Sequence, residues 1–295
     1  MSAVRRLSAE LLSRVGGILL EGPVWDAAVR KVRFVDILAR RLHTLDPGGD
    51  VLSSTDVDET VSAWIPWRGG GSALATRTGV RLVEGDVATD PGWLAVPIEA
   101  DVLATRSNDA KCDPTGRLWV GTMADDASHG AGALYRVDRD LRCARILEHL
   151  TIGNGMGWSA DGRRMWFVDS PTRRLDELTY EPDTGEASER RPWVDTSAFA
   201  GVPDGLTVDA EDGVWVAMHE GGVVLRFDRI GRHVAIVGVP VARPTSCVFA
   251  GPALDRLVIT TARDADGAGG DVYLCEPGVI GTPTVEFAGA REARA

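Results

Sequence analysis

The sequence has little of what marks membrane, secreted or nucleic-acid-binding proteins. No apolar run approaches the ~20 residues of a membrane-spanning helix, and the opening MSAVRRLSAELLSRVGG is too interrupted by Arg, Glu and Ser to predict a signal peptide. The formal net charge of −11 disfavours nucleic acid or an anionic membrane as a partner, because both require a basic face. We therefore expect a cytoplasmic protein, either a monomer or a homodimer, that binds a small molecule.

Cysteine, lysine and asparagine are also scarce. The four cysteines lie far apart and include no C-x-x-C pair, which fits neither a zinc site nor a disulfide framework, so we expect buried free thiols. The basic residues are 30 Arg and two Lys, and the chain has only two Asn, Asn108 and Asn154. A turn-rich chain that used Asn only as a loop former would place it more widely. Both asparagines are therefore candidate site residues.

Several catalytic motifs are absent. There is no G-x-S-x-G sequence of a serine hydrolase, and no G-K-[ST] follows a glycine-rich run as it would in a P-loop. The five His show no H-E-x-x-H or H-x-H spacing. These absences disfavour a motif-defined serine hydrolase, a P-loop nucleotide site and a histidine zinc site.

What the sequence does contain is a repeat. Six short strands rich in β-branched or aromatic residues each follow a turn, and their equivalent positions are Arg33, Leu74, Trp119, Trp166, Trp215 and Val258. The steps between these positions are 41, 45, 47, 49 and 43 residues, within the ~40–50 residues of a four-stranded propeller blade. The pattern predicts an all-β fold, a six-bladed β-propeller of four-stranded antiparallel blades around a central cavity.

A single domain over residues 1–295 is predicted, since neither a linker nor a long amphipathic helix interrupts the repeat. Two β-sandwiches would also fit the length, but the even sixfold period disfavours them. The residues before Gly22 are expected to lend an outer strand that closes the ring against the last repeat. Residues 288–295 are expected to fray.

A second repeated element lies 10 to 12 residues before each of the equivalent strand positions. Its members, which we call the phase residues, are Glu21, Ser62, Asp109, Asn154, Asp204 and Ser246. Because propeller blades radiate from one axis, residues at the same phase of the repeat converge near that axis. The sequence therefore predicts three carboxylates, an amide and two hydroxyls in one central cavity.

A cation is the expected partner of these side chains. Clustered carboxylates are electrostatically unfavourable without one, and an all-oxygen donor set suits a hard cation, Ca²⁺ first, with Zn²⁺, Mg²⁺, Mn²⁺ or Fe²⁺ as alternatives. Asp-Gly and Asn-Gly are also common turn dipeptides, so a turn is the competing interpretation at any single position. Several in phase, with Glu21 where a turn does not require Glu, favour the metal site.

Longer motifs around these positions resemble those of the SMP-30/gluconolactonase/regucalcin-like family in order and spacing, from about Glu21 to the last repeat. They are EGPVW (21–25), RSNDAKCDPTGRLWVGTM (106–123), GNGMGWSADGRRMWFVDS (153–170), PDGLTVDAEDGVWVA (203–217) and RPTSCVF (243–249). The resemblance implies a six-bladed propeller with sugar-lactone hydrolase activity. It also implies one divalent cation, held by Glu21, Asn154 and Asp204.

The resemblance further implies substrate contacts. The family's substrate-contacting Arg and Asn match Arg106 and Asn108. Its acidic residue after the G-T-M strand matches Asp125, in a loop over 124–132 that would cover the mouth of the cavity. Ala110 departs from the N-D-G that is common in the family and removes a flexible glycine beside the site.

Together these features predict cation-dependent hydrolysis of a sugar lactone to the aldonic acid. Asp204 is the expected catalytic general base as well as a ligand, with ligation alone as the alternative role, and Arg106 with Asn108 would orient the sugar hydroxyls. Two alternatives for the function also stay open at this point. One is hydrolysis of another ester, such as a phosphotriester or a non-sugar lactone, at the same site, and the other is a calcium-binding propeller without turnover.

Overall fold

The repeats form the blades of a propeller. In the computed structural model, which describes residues 4–291, six antiparallel sheets are arranged around one axis, and this confirms the predicted six-bladed, all-β fold. The first strand of each blade packs against the first strands of both neighbouring blades, so the six inner strands make a closed ring. Within the described residues, no helix is long and apolar enough to cross a membrane.

Two N-terminal strands and three complete blades make up the first half of the chain. In chain order these strands are β1 (Arg5–Ser8) and β2 (Glu10–Ser13), then β3 (Leu20–Asp26), β4 (Lys31–Asp36), β5 (Arg41–Leu45) and β6 (Val51–Asp56) in blade 1, β7 (Val61–Pro66), β8 (Gly71–Thr76), β9 (Gly79–Glu84) and β10 (Trp93–Pro97) in blade 2, and β11 (Thr105–Cys112), β12 (Leu118–Ala124), β13 (Gly132–Val137) and β14 (Cys143–Leu150) in blade 3.

The second half of the chain supplies the other three blades, together with a short 3-10 helix at Ser170–Thr172. Its strands are β15 (Gly153–Trp158), β16 (Arg164–Asp169), β17 (Arg174–Glu181) and β18 (Glu186–Asp195) in blade 4, β19 (Val202–Val208), β20 (Val214–His219), β21 (Val223–Phe227) and β22 (His233–Gly238) in blade 5, and β23 (Pro244–Ala250), β24 (Arg256–Thr261) and β25 (Val272–Cys275) in blade 6.

The N-terminal strands join the last two blades. Strand β2 pairs antiparallel with β25, Glu10 opposite Leu274, and so supplies the outer strand of blade 6. Strand β1 pairs with β22 in parallel, Leu7 opposite Val237. Blade 5 therefore has five strands where the repeat predicted four. A period in the sequence cannot reveal an added strand that comes from outside the repeat.

The segment after β25 crosses one face of the ring. Its end, residues 288–295, is predicted to fray, but the first four of these residues are held by contacts with the blades. The amide of Ala288 donates to the carbonyl of Gly116 at 2.8 Å, and Trp67 Nε1 donates to the carbonyl of Gly289 at 2.8 Å. Arg291 makes an ion pair with Glu84. These contacts hold residues 288–291, and residues 292–295 lie outside the described part of the chain.

The repeated tryptophans occupy equivalent places in the core, as predicted. Trp119, Trp166 and Trp215 lie in the second strands of blades 3, 4 and 5 and are fully buried. The indole of Trp119 donates to Asp113 at 3.3 Å, and that of Trp215 donates to Asp209 at 2.8 Å. Each of these carboxylates begins the polar turn before the strand, so the turn and the core are tied together.

The cysteines follow the expectation in three of four cases. All four are free, and Cys112, Cys247 and Cys275 are buried. Cys143 is exposed, because it begins the outermost strand of blade 3, where one face is open to solvent.

Every inner strand is irregular at or next to its phase residue. The register between the first and second strands shifts at Glu21/Val24, Val61/Ala63, Ser107/Asp109, Asn154/Met156, Pro203/Leu206 and Pro244/Ser246. A β-bulge leaves one residue without its ladder partner and turns its neighbours out of the regular alternation. Each of the six blades has such a bulge, and each bulge turns its phase residue toward the axis.

Candidate active site

Three phase residues from different blades meet in the central channel. Glu21 lies on β3, Asn154 on β15 and Asp204 on β19, and all three are buried. Asn154 donates from Nδ2 to Oδ1 of Asp204, and also to Oγ of Ser170 at 3.1 Å. Asp204 is close enough to Glu21 to disfavour ionisation of the Glu21 carboxyl. The structure thus brings together the three residues that the sequence predicted as metal ligands.

The bulges also explain how these side chains are held. The amide of Gly22 donates to Oε2 of Glu21 at 3.0 Å, and the amide of Gly155 donates to Oδ1 of Asn154 at 3.1 Å. The carboxylate of Asp204 likewise receives the amide of Gly205. A bulge releases a backbone N–H from the strand ladder, and in each case this N–H fixes the side chain of the preceding residue.

Glycine after the phase residue permits the close approach of neighbouring inner strands. A β-carbon on Gly155 would lie 2.4 Å from the carbonyl oxygen of Asp204, and one on Gly205 would lie 2.2 Å from Oγ of Ser246. Real β-carbons do not approach backbone atoms this closely. The x-Gly dipeptides therefore lie inside bulged strands, and the competing interpretation of them as hairpin turns is wrong.

Ala110 occupies the corresponding position in blade 3 without disturbing it. It lies in β11 opposite Val120 and is buried. The chain at Ala110 is part of a strand and not of a turn, so the missing glycine leaves the backbone in regular pairing there. Asp109, the phase residue beside it, receives the amide of Ala110, as Glu21, Asn154 and Asp204 receive the amides that follow them.

The electrostatics of the channel favour the binding of a cation. Burial, and then the carboxylates of Asp204 and Asp109, raise the pKa of Glu21 well above its usual value. Burial also raises the pKa of Asp204 to about 8, against the opposing effect of its hydrogen bond from Asn154. A carboxyl whose charge is disfavoured in this way is stabilised when a cation binds beside it.

The donor set fits a hard cation. Across residues 4–291, no three side chains of the His, Cys, Asp and Glu types are arranged to hold a metal ion. A cation in the channel would therefore depend on the two carboxylates of Glu21 and Asp204 and on the amide oxygen of Asn154. Three oxygen donors without imidazole or thiolate suit Ca²⁺, Mg²⁺ or Mn²⁺ and leave coordination positions for water or substrate.

Arg106 and Asn108 lie beside these residues, on the first half of β11. Arg106 donates from Nη1 to the carbonyl of Ser107 at 2.9 Å and to Oδ1 of Asn108 at 3.1 Å. Asn108 in turn donates from Nδ2 to the carbonyl of Gly153 at 3.2 Å. The charge of Arg106 and the carboxylates of Glu21 and Asp204 act on one another, so the guanidinium lies within electrostatic range of both.

Asp125 lies at the mouth, but it is already paired. Arg77 donates from Nη2 to Oδ1 of Asp125 at 2.8 Å and from Nη1 to Oδ2 at 2.9 Å. This two-point ion pair lowers the pKa of Asp125. Asp125 also lies within electrostatic range of Arg106. The mouth therefore presents a cluster of two arginines and one aspartate, Arg77, Arg106 and Asp125, where the sequence predicted a lone acidic contact.

Sequence reasoning missed two polar residues of this site. Ser170 is the last residue of the motif over 153–170 and receives a hydrogen bond from Asn154, so its position directly after a strand of the repeat was an available signal. Arg77 carried no such signal, because it is one of 30 arginines and lies at no repeated phase. Ser62, a predicted phase residue, donates to Oγ of Ser107 at 2.9 Å and takes part in the wall of the channel.

Comparisons with known proteins agree with this architecture. The family model described as SMP-30/gluconolactonase/LRE-like region matches residues 19–263. A protein of Haloferax volcanii named pentonolactonase XacC is 36% identical over 256 residues, which are 85% of this chain and 84% of that protein. Regucalcin of Homo sapiens is 31% identical over 284 residues, with 91% and 94% covered.

A solved structure shares the whole fold. The crystal structure of a calcium-binding protein, regucalcin, from Agrobacterium tumefaciens superposes with a TM-score of 0.91 at 29% sequence identity. The match covers 97% of this chain and 99% of that one. The blades and their order are therefore those of a known propeller.

Proposed function

Because the chain belongs to the SMP-30/gluconolactonase/LRE-like family, we propose that it is a cation-dependent lactonase that hydrolyses a sugar lactone to the aldonic acid. The observation that carries the proposal is the buried group of Glu21, Asn154 and Asp204, whose carboxylates have raised pKa values. Next to this group lies the Arg106 guanidinium. The relative named as a pentonolactonase supports the reaction class.

Glu21, Asn154 and Asp204 are the proposed cation ligands. A divalent cation, when bound, supplies Lewis acidity toward a carbonyl oxygen and makes a nearby water more acidic. Ca²⁺ is our first choice, because all three donors are oxygens. Asn154 holds one oxygen of Asp204 through its Nδ2 and so fixes the plane of that carboxylate.

Asp204 is the proposed general base. It accepts a proton from water as the water oxygen forms a bond to the lactone carbonyl carbon, and the ring C–O bond then breaks. The same proton passes to the departing ring oxygen, which becomes the new hydroxyl of the aldonic acid.

Arg106 is the proposed donor to the substrate. Its hydrogen bonds to Ser107 and Asn108 are both made from Nη1, so the N–H groups of Nε and Nη2 are the ones proposed to meet sugar hydroxyls or the developing oxyanion. Asn108 orients Arg106 through Oδ1. Asp125 with Arg77 forms the rim against which the sugar would pack.

Purified protein assayed on a panel of aldonolactones, with acid release as the readout, tests the proposal. Glu21→Gln and Asp204→Ala should each lose both cation binding and hydrolysis, because each removes a charged donor from a site with few ligands. Arg106→Ala should keep the cation while kcat/KM falls by about one to three orders of magnitude.

Asp204→Asn separates the two proposed roles of that residue. The amide keeps an oxygen donor but cannot accept the proton, so turnover should fall much further than cation occupancy. If this variant binds the cation fully and turns over like the wild type, Asp204 is not the base. If Arg106→Ala loses the cation, Arg106 is not a substrate contact.

The other two candidates predict different results in the same assays. Another esterase activity would give turnover of phosphotriesters or aromatic lactones exceeding that of every aldonolactone. A calcium-binding propeller without turnover would bind Ca²⁺ and hydrolyse nothing on either panel. The solved regucalcin structure, described as that of a calcium-binding protein, is the reason to test this candidate.

A further inference from the structure

One of the two lysines lies inside the channel. Lys111 is two residues after Asp109 on β11, and its Nζ donates to the carbonyl of Leu206 at 2.5 Å. Leu206 is on the inner strand of blade 5, so the ammonium reaches across the channel from blade 3. The chain uses Arg at 30 of its 32 basic positions, and a compact ammonium on a flexible stem is found here instead of the larger guanidinium.

Lys111 lies on the opposite side of the carboxylates from Arg106. Arg106 and Asn108 are on the first half of β11, whereas the second halves of the inner strands line a cavity of about 600 Å³. Asp109, Lys111 and Ser246 are in the wall of this cavity. The channel thus has a substrate side, which contains Arg106, and a second side, where Lys111 provides the positive charge.

The positive charge of Lys111 offsets the negative charge of one of three buried carboxylates. Asp109 and Asp204 both act on the charge of Glu21, so Glu21, Asp109 and Asp204 form one buried negative group. Burial lowers the pKa of Lys111, and the negative charge of Asp109 opposes that shift. Burial raises the pKa of Asp109, and the positive charge of Lys111 opposes that shift. Asp109 and Lys111 therefore stabilise each other's charged forms.

We propose that Lys111 determines the charge of the cation that the channel selects. Lys111 and Asp109 line the same cavity, and the charge of Lys111 offsets that of Asp109, so a bound cation meets one negative charge fewer than it would without Lys111. Without Lys111, no positive charge offsets the carboxylate of Asp109. The affinity for a trivalent ion of similar size then rises relative to the affinity for a divalent ion. This inference rests on the proposed function, because it assumes that a cation binds at Glu21, Asn154 and Asp204.

The arginines at the mouth do not replace Lys111 in this role. Arg77 and Asp125 form their ion pair where both side chains are partly exposed, 32% and 45%, so solvent screens them. Arg106 acts on the carboxylates from the substrate side and is present in every variant considered below. The comparison among those variants therefore isolates Asp109 and Lys111.

Competition between Tb³⁺ and Ca²⁺ measures the effect without an activity assay. The affinity ratio of the two ions would be determined by Tb³⁺ luminescence for the wild type, Lys111→Met, Asp109→Asn and the double variant. Lys111→Met should shift the ratio toward Tb³⁺ by about tenfold or more, the size expected for one charge acting at close range in a partly buried site. Asp109→Asn should shift it toward Ca²⁺ by a similar factor.

The double variant distinguishes charge from structure. Asp109→Asn with Lys111→Met removes one charge of each sign, so the ratio should return to within about threefold of the wild-type value. Lys31→Met, which changes the other lysine, at the start of β4, should leave the ratio unchanged. If Lys111→Met does not fold, Asp109→Asn and the double variant still decide the question, because the first should shift the ratio toward Ca²⁺ and the second should leave it near the wild-type value.

Three outcomes would overturn the inference. A folded Lys111→Met protein with the wild-type ratio shows that Lys111 does not act on the cation. A double variant that fails to return to the wild-type ratio shows that Lys111 acts through its hydrogen bond to Leu206 alone. A wild-type protein that binds neither ion overturns the proposed metal site as well, whereas the first two results leave that site standing.

Discussion

Gly155 packs so closely against Asp204 that a β-carbon at position 155 would lie 2.4 Å from the Asp204 carbonyl oxygen. This contact sets the spacing of the inner strands of blades 4 and 5. At that spacing, Asn154 reaches across to hydrogen-bond the Asp204 carboxylate. The absence of one side chain therefore fixes how closely two proposed ligands approach each other.

Replacing Gly155 with Ala should separate the two strands. We expect Gly155→Ala to lower the free energy of unfolding by about 1–3 kcal/mol, the usual cost of overpacking, and to weaken cation binding. Urea denaturation and calorimetric titration with Ca²⁺ measure the two effects. Gly238→Ala is the matched control, because its β-carbon would meet only the carbonyl of Leu7 at 3.8 Å. Equal stability and affinity in both variants would contradict the prediction.

Removing the cation should make stability depend on pH. The pKa of Asp204 is raised to about 8, and that of Glu21 is also raised, so both bind protons more tightly in the folded, cation-free protein than in the unfolded chain. Their contribution to stability is complete below the unfolded pKa of about 4 and is lost as pH rises through the folded pKa. Cation-free protein should therefore melt at a lower temperature at pH 8.5 than at pH 6.

Saturating Ca²⁺ should reduce this pH dependence, because the ion binds the ionised carboxylates and stabilises the folded state by mass action. Thermal melts with chelator and with Ca²⁺ at both pH values provide the comparison. The double variant Glu21→Gln with Asp204→Asn corrects for the titration of all other groups. The prediction fails if subtracting its melting curves removes none of the pH dependence of the cation-free wild type.

The Arg77–Asp125 pair at the mouth should influence substrate binding. Arg77→Met leaves Asp125 without its two-point partner, so the pKa of Asp125 should rise toward its usual value and its position should loosen. We expect kcat/KM on the best lactone to fall about tenfold, mainly through KM, because an orienting contact is lost and no donor to the reacting atoms is removed.

Arg41→Met is the control for that variant. Arg41 pairs with Asp56 at 2.6 Å on the outer strands of blade 1, and both side chains are exposed. Its kinetic constants should match those of the wild type. A fall in kcat with unchanged KM in Arg77→Met would assign Arg77 to the chemical step instead.

Asp209 should be among the most stabilising polar residues of the core. Its fully buried carboxylate accepts hydrogen bonds from Trp215 Nε1 at 2.8 Å, Arg226 Nε at 2.7 Å and the amide of Gly213 at 2.8 Å. Asp209→Asn removes the buried charge that pairs with Arg226 and leaves Arg226 only its ion pair with Glu211, an exposed residue, so the free energy of unfolding should fall by about 2–4 kcal/mol. Asp140→Asn, an exposed partner of Arg142, should change stability by less than about 1 kcal/mol.

The repeat carries most of the information that sequence gives about this fold. The buried Trp119, Trp166 and Trp215 keep their spacing because each must fill the same place in a blade. The phase residues keep theirs because the bulges recur at one height along the axis. A single sequence therefore predicts the blade number and the convergence of Glu21, Asn154 and Asp204.

Features outside the repeat were not predictable in this way. The parallel pairing of β1 with β22 depends on an edge that only the folded blade presents. The pairing of Arg77 with Asp125 joins positions 48 residues apart that share no phase. Strand bulges and hairpin turns both use x-Gly dipeptides, so the sequence placed the dipeptides near the axis by their shared phase but could not show that they lie in bulged strands.

The placement of β1 and β2 also sets an order of events during synthesis. Both strands are made long before their partners β22 and β25. Until then the N-terminal segment has nothing to pair with, and the outer edges of the last two blades remain open as they emerge. Loop closure over more than 200 residues is slow compared with the formation of each blade. Ring closure should therefore be the late, rate-limiting step of folding, and the interval before it is when the newly made chain is most exposed to aggregation.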